Sequence, residues 1–253
     1  MNKLLPFINE QVNGVIWRME IDSVSDNLFL EVRSADNKEV SFASFNLKNG
    51  TINFKQFSLP ERWLTGIEGA HDGVLLLHHY QSETSPVHKG IEAIDGTNAK
   101  VLWSNYTYGF DNLSVNGPVV YNLQIQPKKL FLIDIKTGAY LRAFEPTIDI
   151  VAPNYIEVPD ILPLSKLPSS INIAPYGNSI YYLKYNKVRV VSLHALTDGV
   201  LKQYLYVIAN ENIIYEDILN DDIQKLQPEA FIVRKNCLIY IKNRSQLKVL
   251  NLL

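Results

Sequence analysis

The chain has 253 residues, 47% of them hydrophobic and 20% charged, with a formal net charge of −2. Such a chain builds an ordinary globular core. It contains no run of roughly 18 apolar residues that would span a membrane as a helix, and its charge lacks the broad basic surface of a dedicated nucleic-acid binder. Its one cysteine, Cys237, excludes an intrachain disulfide framework and a multi-cysteine zinc site.

At the N-terminus a single lysine, Lys3, precedes Leu4-Leu5-Pro6-Phe7-Ile8 before Asn9 and Glu10 interrupt. A secretory leader needs a longer apolar stretch and a small-residue cleavage site, so a cytoplasmic chain is expected. Along the rest of the sequence, short runs rich in β-branched and aromatic residues recur. They include Leu28 to Val32, Gly73 to Leu77, Pro118 to Tyr121, Ser179 to Leu183 and Cys237 to Ile241, and each reads as a strand. A second strand follows in each case, as in Val40 to Leu47, Gly90 to Ile94, Lys129 to Ile135 and Val188 to Leu196. These end at Asn/Asp/Gly turns such as Lys48-Asn49-Gly50, Lys136-Thr137-Gly138 and Thr197-Asp198-Gly199. A third strand starts at once, and one more short segment precedes each first strand, as Thr65 to Glu68 and Asn112 to Val115 do.

The unit is four short antiparallel strands recurring about every 40 residues, which predicts an all-β chain of the β-propeller class with five four-stranded blades in a single domain over residues 1–253. The final blade ends on Gln246 to Leu253 without its last strand, and the pattern predicts that an N-terminal strand completes it, with Val12 to Arg18 as the candidate. Ile16-Trp17-Arg18 stands so close to the first blade that the sequence leaves open which of the two it joins.

Three segments carry a resemblance. Ala93-Ile94-Asp95-Gly96-Thr97-Asn98-Ala99-Lys100-Val101-Leu102-Trp103, Leu132 to Leu141 and Asn13 to Arg18 resemble the repeat of quinoprotein-like β-propellers of the pyrroloquinoline-quinone type, in which an Ala-Leu-Asp strand and a Thr-Gly-Lys turn precede a Leu-Trp strand. The resemblance implies that fold. It does not extend to the quinone, because no Asp-x-Asp-x-Asn calcium loop or vicinal cysteine pair is present, so no cofactor is expected. Over its whole length the chain is also similar to uncharacterised bacterial proteins, which implies no activity.

Two insertions interrupt the repeat. Glu145 to Ser170 holds five prolines and no glycine, and is expected to lie as an extended cover with Ile148, Ile150, Val151, Tyr155, Ile156, Ile161 and Leu162 packed down. Asn210 to Leu226 fits an amphipathic helix with an acidic face of Glu211, Glu216, Asp217, Asp221 and Asp222.

No nucleophile elbow, phosphate loop or His-Glu-x-x-His helix is present. The absence of a catalytic motif favours a non-catalytic binding or scaffold propeller, monomeric, that presents a loop face to a protein or peptide and contacts neither nucleic acid nor membrane. Trp63, Tyr80, Tyr106, Tyr108, Tyr155 and Glu157 are its candidate contacts, because aromatic side chains commonly anchor interfaces. The alternative is a hydrolase or lyase acting on a carbohydrate-like substrate through carboxylates near the channel, with Glu68 and Asp111 as candidate catalytic groups among Glu20, Asp22, Arg62, Trp63, Tyr108 and Glu229. No metal site is expected. His78 and His79 occupy consecutive strand positions and point to opposite faces, while His71 sits by a turn and His88 in the polar segment 81–89, so the histidines would meet only through tertiary structure.

Overall fold

In a computed structural model the chain is described over residues 4–228 and 230–252, and within them it is all-β, with no α-helix. Its succession of small antiparallel sheets is that of the β-propeller class. Among the described residues there are three four-stranded and two five-stranded sheets. The chain divides into two compact units: residues 13–154, and residues 1–12 together with 155–253.

The first unit contains three four-stranded sheets. The first is built from β2 (Val15–Ile21), β3 (Asn27–Ser34), β4 (Glu39–Asn46) and β5 (Ile52–Phe57). The second takes β6 (Thr65–His71), β7 (Val74–Ser82), β8 (Ser85–Asp95) and β9 (Val101–Asn105); the third takes β10 (Tyr108–Ser114), β11 (Gly117–Asn122), β12 (Leu130–Ile133) and β13 (Tyr140–Ala143). Each sheet runs in simple chain order. The unbroken Val74-Leu75-Leu76-Leu77 run of β7 follows from burial on both faces: Leu75 and Leu77 pack with Phe29 and Phe42, while Val74 and Leu76 pack with Ile91, Val120 and Ile133. The β6–β7 link is the tight Asp72-Gly73 turn, in which both residues have positive φ, a conformation that glycine adopts without steric cost. Trp103 donates its indole N–H to the Ile135 carbonyl at 2.8 Å, tying β9 to the turn after β12.

The second unit contains two five-stranded sheets. One runs β15 (Asp160–Pro163), β16 (Ser179–Tyr185), β17 (Val188–Thr197), β18 (Val200–Ala209), β19 (Asn212–Asn220); the other runs β14 (Ile156–Glu157), β20 (Ile232–Arg234), β21 (Cys237–Lys242), β22 (Gln246–Asn251) and β1 (Ile8–Gln11). An N-terminal strand thus does complete the last sheet, with Ile8 opposite Val249 and Gln11 opposite Gln246. It is not the expected segment. Ile16-Trp17-Arg18 belongs to β2, the innermost strand of the first sheet, where Ile16 pairs with Val32 and Arg18 with Glu31.

Other expectations are corrected too. The proline-rich insertion supplies β14 and β15, each the terminal strand of a sheet, and many of its apolar side chains face solvent: Ile148 is 47% exposed, Val151 71%, Tyr155 66% and Ile161 66%. It is pinned instead by the buried Asp149, which accepts from the Arg142 guanidinium, the Asn116 amide and the Glu145 N–H. The expected helix over 210–226 is replaced by β19. Asn210 and Glu211 both have positive φ and make a two-residue hairpin turn with Ala209 opposite Asn212, after which Ile213-Ile214-Tyr215 continues as strand. Its acidic residues are divided between surface ion pairs and the interior. Glu211 pairs with Arg189 and Asp221 with Lys202, while Asp217 points inward to Lys242, Lys248 and the Tyr240 hydroxyl.

Candidate functional site

The innermost strands of the three sheets in the first unit share one irregularity. The ladder skips Trp17 in β2, Glu68 in β6 and Asp111 in β10. A skipped residue is a β-bulge, which loosens its side chain from the pleat and commonly borders functional sites. Both candidate catalytic carboxylates, Glu68 and Asp111, are such residues.

Their surroundings differ. Asp111 is tied to the Lys128 ammonium and to the Asn112 amide, an ordinary surface pairing. Glu68 is surrounded by titratable groups. Its Oε2 lies 2.9 Å from His88 Nδ1 and 3.1 Å from His78 Nδ1, and the two imidazoles stack with centroids 3.5 Å apart and planes within 6°. Three adjacent strands carry the trio. His78 stands opposite Gly66 on β6, and its ring occupies the space a side chain there would need: a Cβ on Gly66 would sit 2.8 Å from His78 Cε1.

His88 arrives by a second bulge. The β7–β8 ladder passes from His78↔Ile91 to His79↔Lys89 and Tyr80↔His88, leaving out Gly90, whose φ is +68°. Without that extra residue His88 would oppose no partner on the face of His78 and Tyr80, because a one-residue slip moves a side chain across the sheet. The polar segment 81–89 is therefore mostly hairpin strand, and His78 and His88, which the sequence could join only through tertiary structure, do meet by way of this register. His79 does point to the other face, where Glu92 lies 2.9 Å from its Nε2 and also accepts from the Tyr106 hydroxyl.

A second carboxylate approaches from β2. Arg18 donates to the backbone carbonyls of Ile67 and Glu68 at 2.7 and 3.1 Å and to Glu20 Oε2 at 3.2 Å, so one guanidinium fixes Glu20 beside the Glu68 bulge. Below this layer Glu31 is buried. Its Oε2 accepts from the Ile67 N–H at 2.9 Å and its Oε1 from Arg33 Nε at 2.7 Å, while Arg33 reaches the Thr65 carbonyl at 2.7 Å. The Arg33 guanidinium lies 5.2 to 5.9 Å from the ring centres of Trp63, Trp17 and Tyr80, gathering three aromatic side chains around one cation.

The electrostatics separate the groups. Burial pushes the Glu20 carboxyl up against the pull of Arg18. Burial also acts on Glu68, but the contacts with His78 and His88 outweigh it and hold its carboxyl below the usual range. His78 is pushed down, burial prevailing over Glu68, so its ring is neutral near pH 7. Both of its nitrogens are buried, and neither makes an aligned hydrogen bond even though Nδ1 is within 3.1 Å of Glu68.

Of the remaining candidates, Tyr80 packs edge-on against both His78 and His88 and lies with Trp63 around Arg33. Tyr106 is on the His79 face, Tyr108 packs edge-on to Phe131, and Tyr155 and Glu157 belong to the other unit. Asp22 is fully buried and serves the framework, accepting from Val24 N–H, the Ser25 hydroxyl and Gly73 N–H. Glu229 lies outside the described residues. Sequence reasoning missed Arg18, Glu31, Arg33 and the joining of His78 with His88; the one local signal was Gly90 inside an apolar strand pattern, which marks a bulge.

Fold and site together define a β-propeller-class protein with a carboxylate–imidazole cluster on β6, β7 and β8. The profile of a domain of unknown function, DUF4905, matches residues 21–103, a span that includes Glu31, Glu68, His78 and His88 and stops short of Arg18 and Glu20. No curated protein matches the sequence. Among solved structures, the chain is similar to an endo-arabinase from Bacteroides thetaiotaomicron VPI-5482 at 10% identity and a TM-score of 0.26, covering 100% of this chain and 98% of that one. It is also similar to Raptor from Chaetomium thermophilum at 8% identity and a TM-score of 0.29, covering 100% of this chain and 29% of that one.

Proposed function

We propose that the protein is a hydrolase or lyase acting on a carbohydrate-like substrate at the Glu68 cluster. The observation that carries this reading is that Arg18 holds the Glu20 carboxylate while bonding the backbone carbonyl of Glu68, whose own carboxylate lies against two imidazoles. Glycosidic chemistry needs one carboxyl that donates a proton and a second group that takes one or attacks. Glu20, whose burial favours the neutral form, suits the donor. Glu68 with its two histidines is the opposing group. The aromatic faces of Trp17, Trp63 and Tyr80 supply flat apolar surface for a sugar ring.

For the scaffold reading, Trp63 and Tyr80 lie together around Arg33, whereas Tyr106 packs with His79 on the opposite face of the same sheet. One feature still favours it, the solvent-facing apolar side chains Tyr155, Val158 and Ile161. The test is a screen of oligosaccharides and aryl glycosides with the wild-type chain, followed by E20Q and E68Q. We expect turnover that each variant lowers at least a hundredfold; turnover unchanged in both variants would place the chemistry elsewhere.

A further inference from the structure

We infer that Glu68, His78 and His88 form a binding site for one divalent cation of the zinc type, an inference that adds a metal to the site proposed above and rests on the same cluster. One ligand atom from each residue lies within 4.8 Å of the other two, so a single ion can reach all three after small side-chain rotations. One carboxylate oxygen and two imidazole nitrogens are the donor set that binds zinc with a coordination position left open for water or substrate.

A second observation points the same way. His78 is 2% exposed and neither ring nitrogen has an aligned hydrogen-bond partner. Buried polar groups are nearly always satisfied, and the contact that Nδ1 does have is the Glu68 carboxylate, itself a ligand for an ion. An ion on the ring satisfies it. The frame is rigid where it has to be: Glu68, His78 and His88 stand on three adjacent hydrogen-bonded strands, and the missing side chain of Gly66 makes room for the His78 ring.

The stacked rings also say how an ion enters. A cation must lie near the plane of each imidazole it binds, and two parallel rings 3.5 Å apart cannot both meet that condition. One ring turns. His88 is the one able to, since its side chain is 37% exposed against 3% for His78. The open position of an ion held this way can polarise a water or a substrate oxygen.

The test uses untagged full-length protein stripped with a chelator, titrated with zinc chloride by calorimetry in the absence of any substrate, with cobalt(II) as a spectroscopic probe. We expect one zinc per chain, a visible cobalt band typical of low coordination number, and affinity at least tenfold weaker in E68Q and in H88A. Because His88 is at the solvent side, H88A keeps the fold even if E68Q does not, and its melting curve checks this. Absence of one-to-one binding, or binding that folded H88A leaves unchanged, overturns the inference. The two proposals separate cleanly. A chain that turns over substrate and loses turnover in E20Q but binds no zinc refutes the metal alone; a chain that binds zinc through these residues but turns over none of the substrates refutes the hydrolase or lyase reading alone.

Discussion

Glu31→Ala is the perturbation whose size the structure sets most directly. The carboxylate is 2% exposed and holds two elements at once: it accepts from the Ile67 N–H on β6 and from Arg33 on its own strand β3. Its side chain and that of Arg33 are 3% and 13% exposed, so the ion pair is buried. Removing one partner of a buried pair leaves an uncompensated charge and costs about 3–5 kcal/mol, larger than the net worth of the pair itself. Here the Ile67 N–H is orphaned as well, which puts the expected loss at the upper end of that range. For a domain of this size about 1 kcal/mol moves the midpoint by roughly 2–4 °C, so the melting temperature should fall by about 8–20 °C. Lys38–Glu83 supplies the control, being an ion pair with side chains 65% and 57% exposed, and Glu83→Ala should cost no more than about 1 kcal/mol. The assay is thermal melting by circular dichroism at neutral pH on both variants and the wild type. If Glu31→Ala melts within 3 °C (about the reach of the control) of Glu83→Ala, the claim that Glu31 joins the first two sheets and supports the site is wrong.

Two further outcomes are expected. Gly90→Ala forces an alanine to φ +68° with its Cβ 3.0 Å from Tyr106 Cδ1, costing about 1–2 kcal/mol for the backbone and displacing His88; Gly73→Ala, at φ +81° with open space around it, carries the backbone cost alone and should leave zinc titrations unchanged. Asp217 is buried, which raises its carboxyl, but Lys242, Lys248 and Tyr240 outweigh this and lower it from 3.8 to about 2. A carboxyl lowered in the folded state contributes stability that is present above about pH 4 and lost as the pH falls toward 2, on the order of 2 kcal/mol. Denaturant midpoints of wild type and Asp217→Asn should therefore differ at pH 5 and converge by pH 2, and a constant gap across that window would contradict the assignment.

Much of the fold was legible because its signals are local. The runs of Leu28 to Leu30 and Val74 to Leu77 are apolar on both faces, as strands covered on both sides must be, and the Asp72-Gly73 and Asp198-Gly199 turns announce their hairpins. Where the local pattern was ambiguous the reading went astray. Ile214 and Ile218 suit a helix stripe, yet the Asn210-Glu211 turn and the Ile-Ile-Tyr run make a strand, and pairing with β18 decided it. Trp17 resembles the closing tryptophan of a repeat, but Trp103 holds the position that bonds to the next sheet while Trp17 is 62% exposed on an innermost strand. The site was legible only as separate residues. Glu68 was singled out from its place on a strand expected near the channel; that two histidines ten residues apart meet it depends on strand register, and register here turns on the extra residue Gly90, which no period-2 pattern encodes.

The three bulges give the strongest reason to locate function at Glu68. Trp17, Glu68 and Asp111 occupy the same kind of ladder break in three successive innermost strands, so the break itself belongs to the repeat. What differs is the environment the neighbouring strands supply. Asp111 meets Lys128, a partner that neutralises it at the surface; Trp17 faces solvent and the Arg33 guanidinium. At Glu68 the second sheet adds two imidazoles, one buried without an aligned partner, and an unusual glycine bulge to deliver the other. A buried imidazole left in this way weakens the fold, since an apolar side chain in the same space would cost nothing in desolvation. Its place against Glu68, His88 and Tyr80 is the observation on which the proposed chemistry rests.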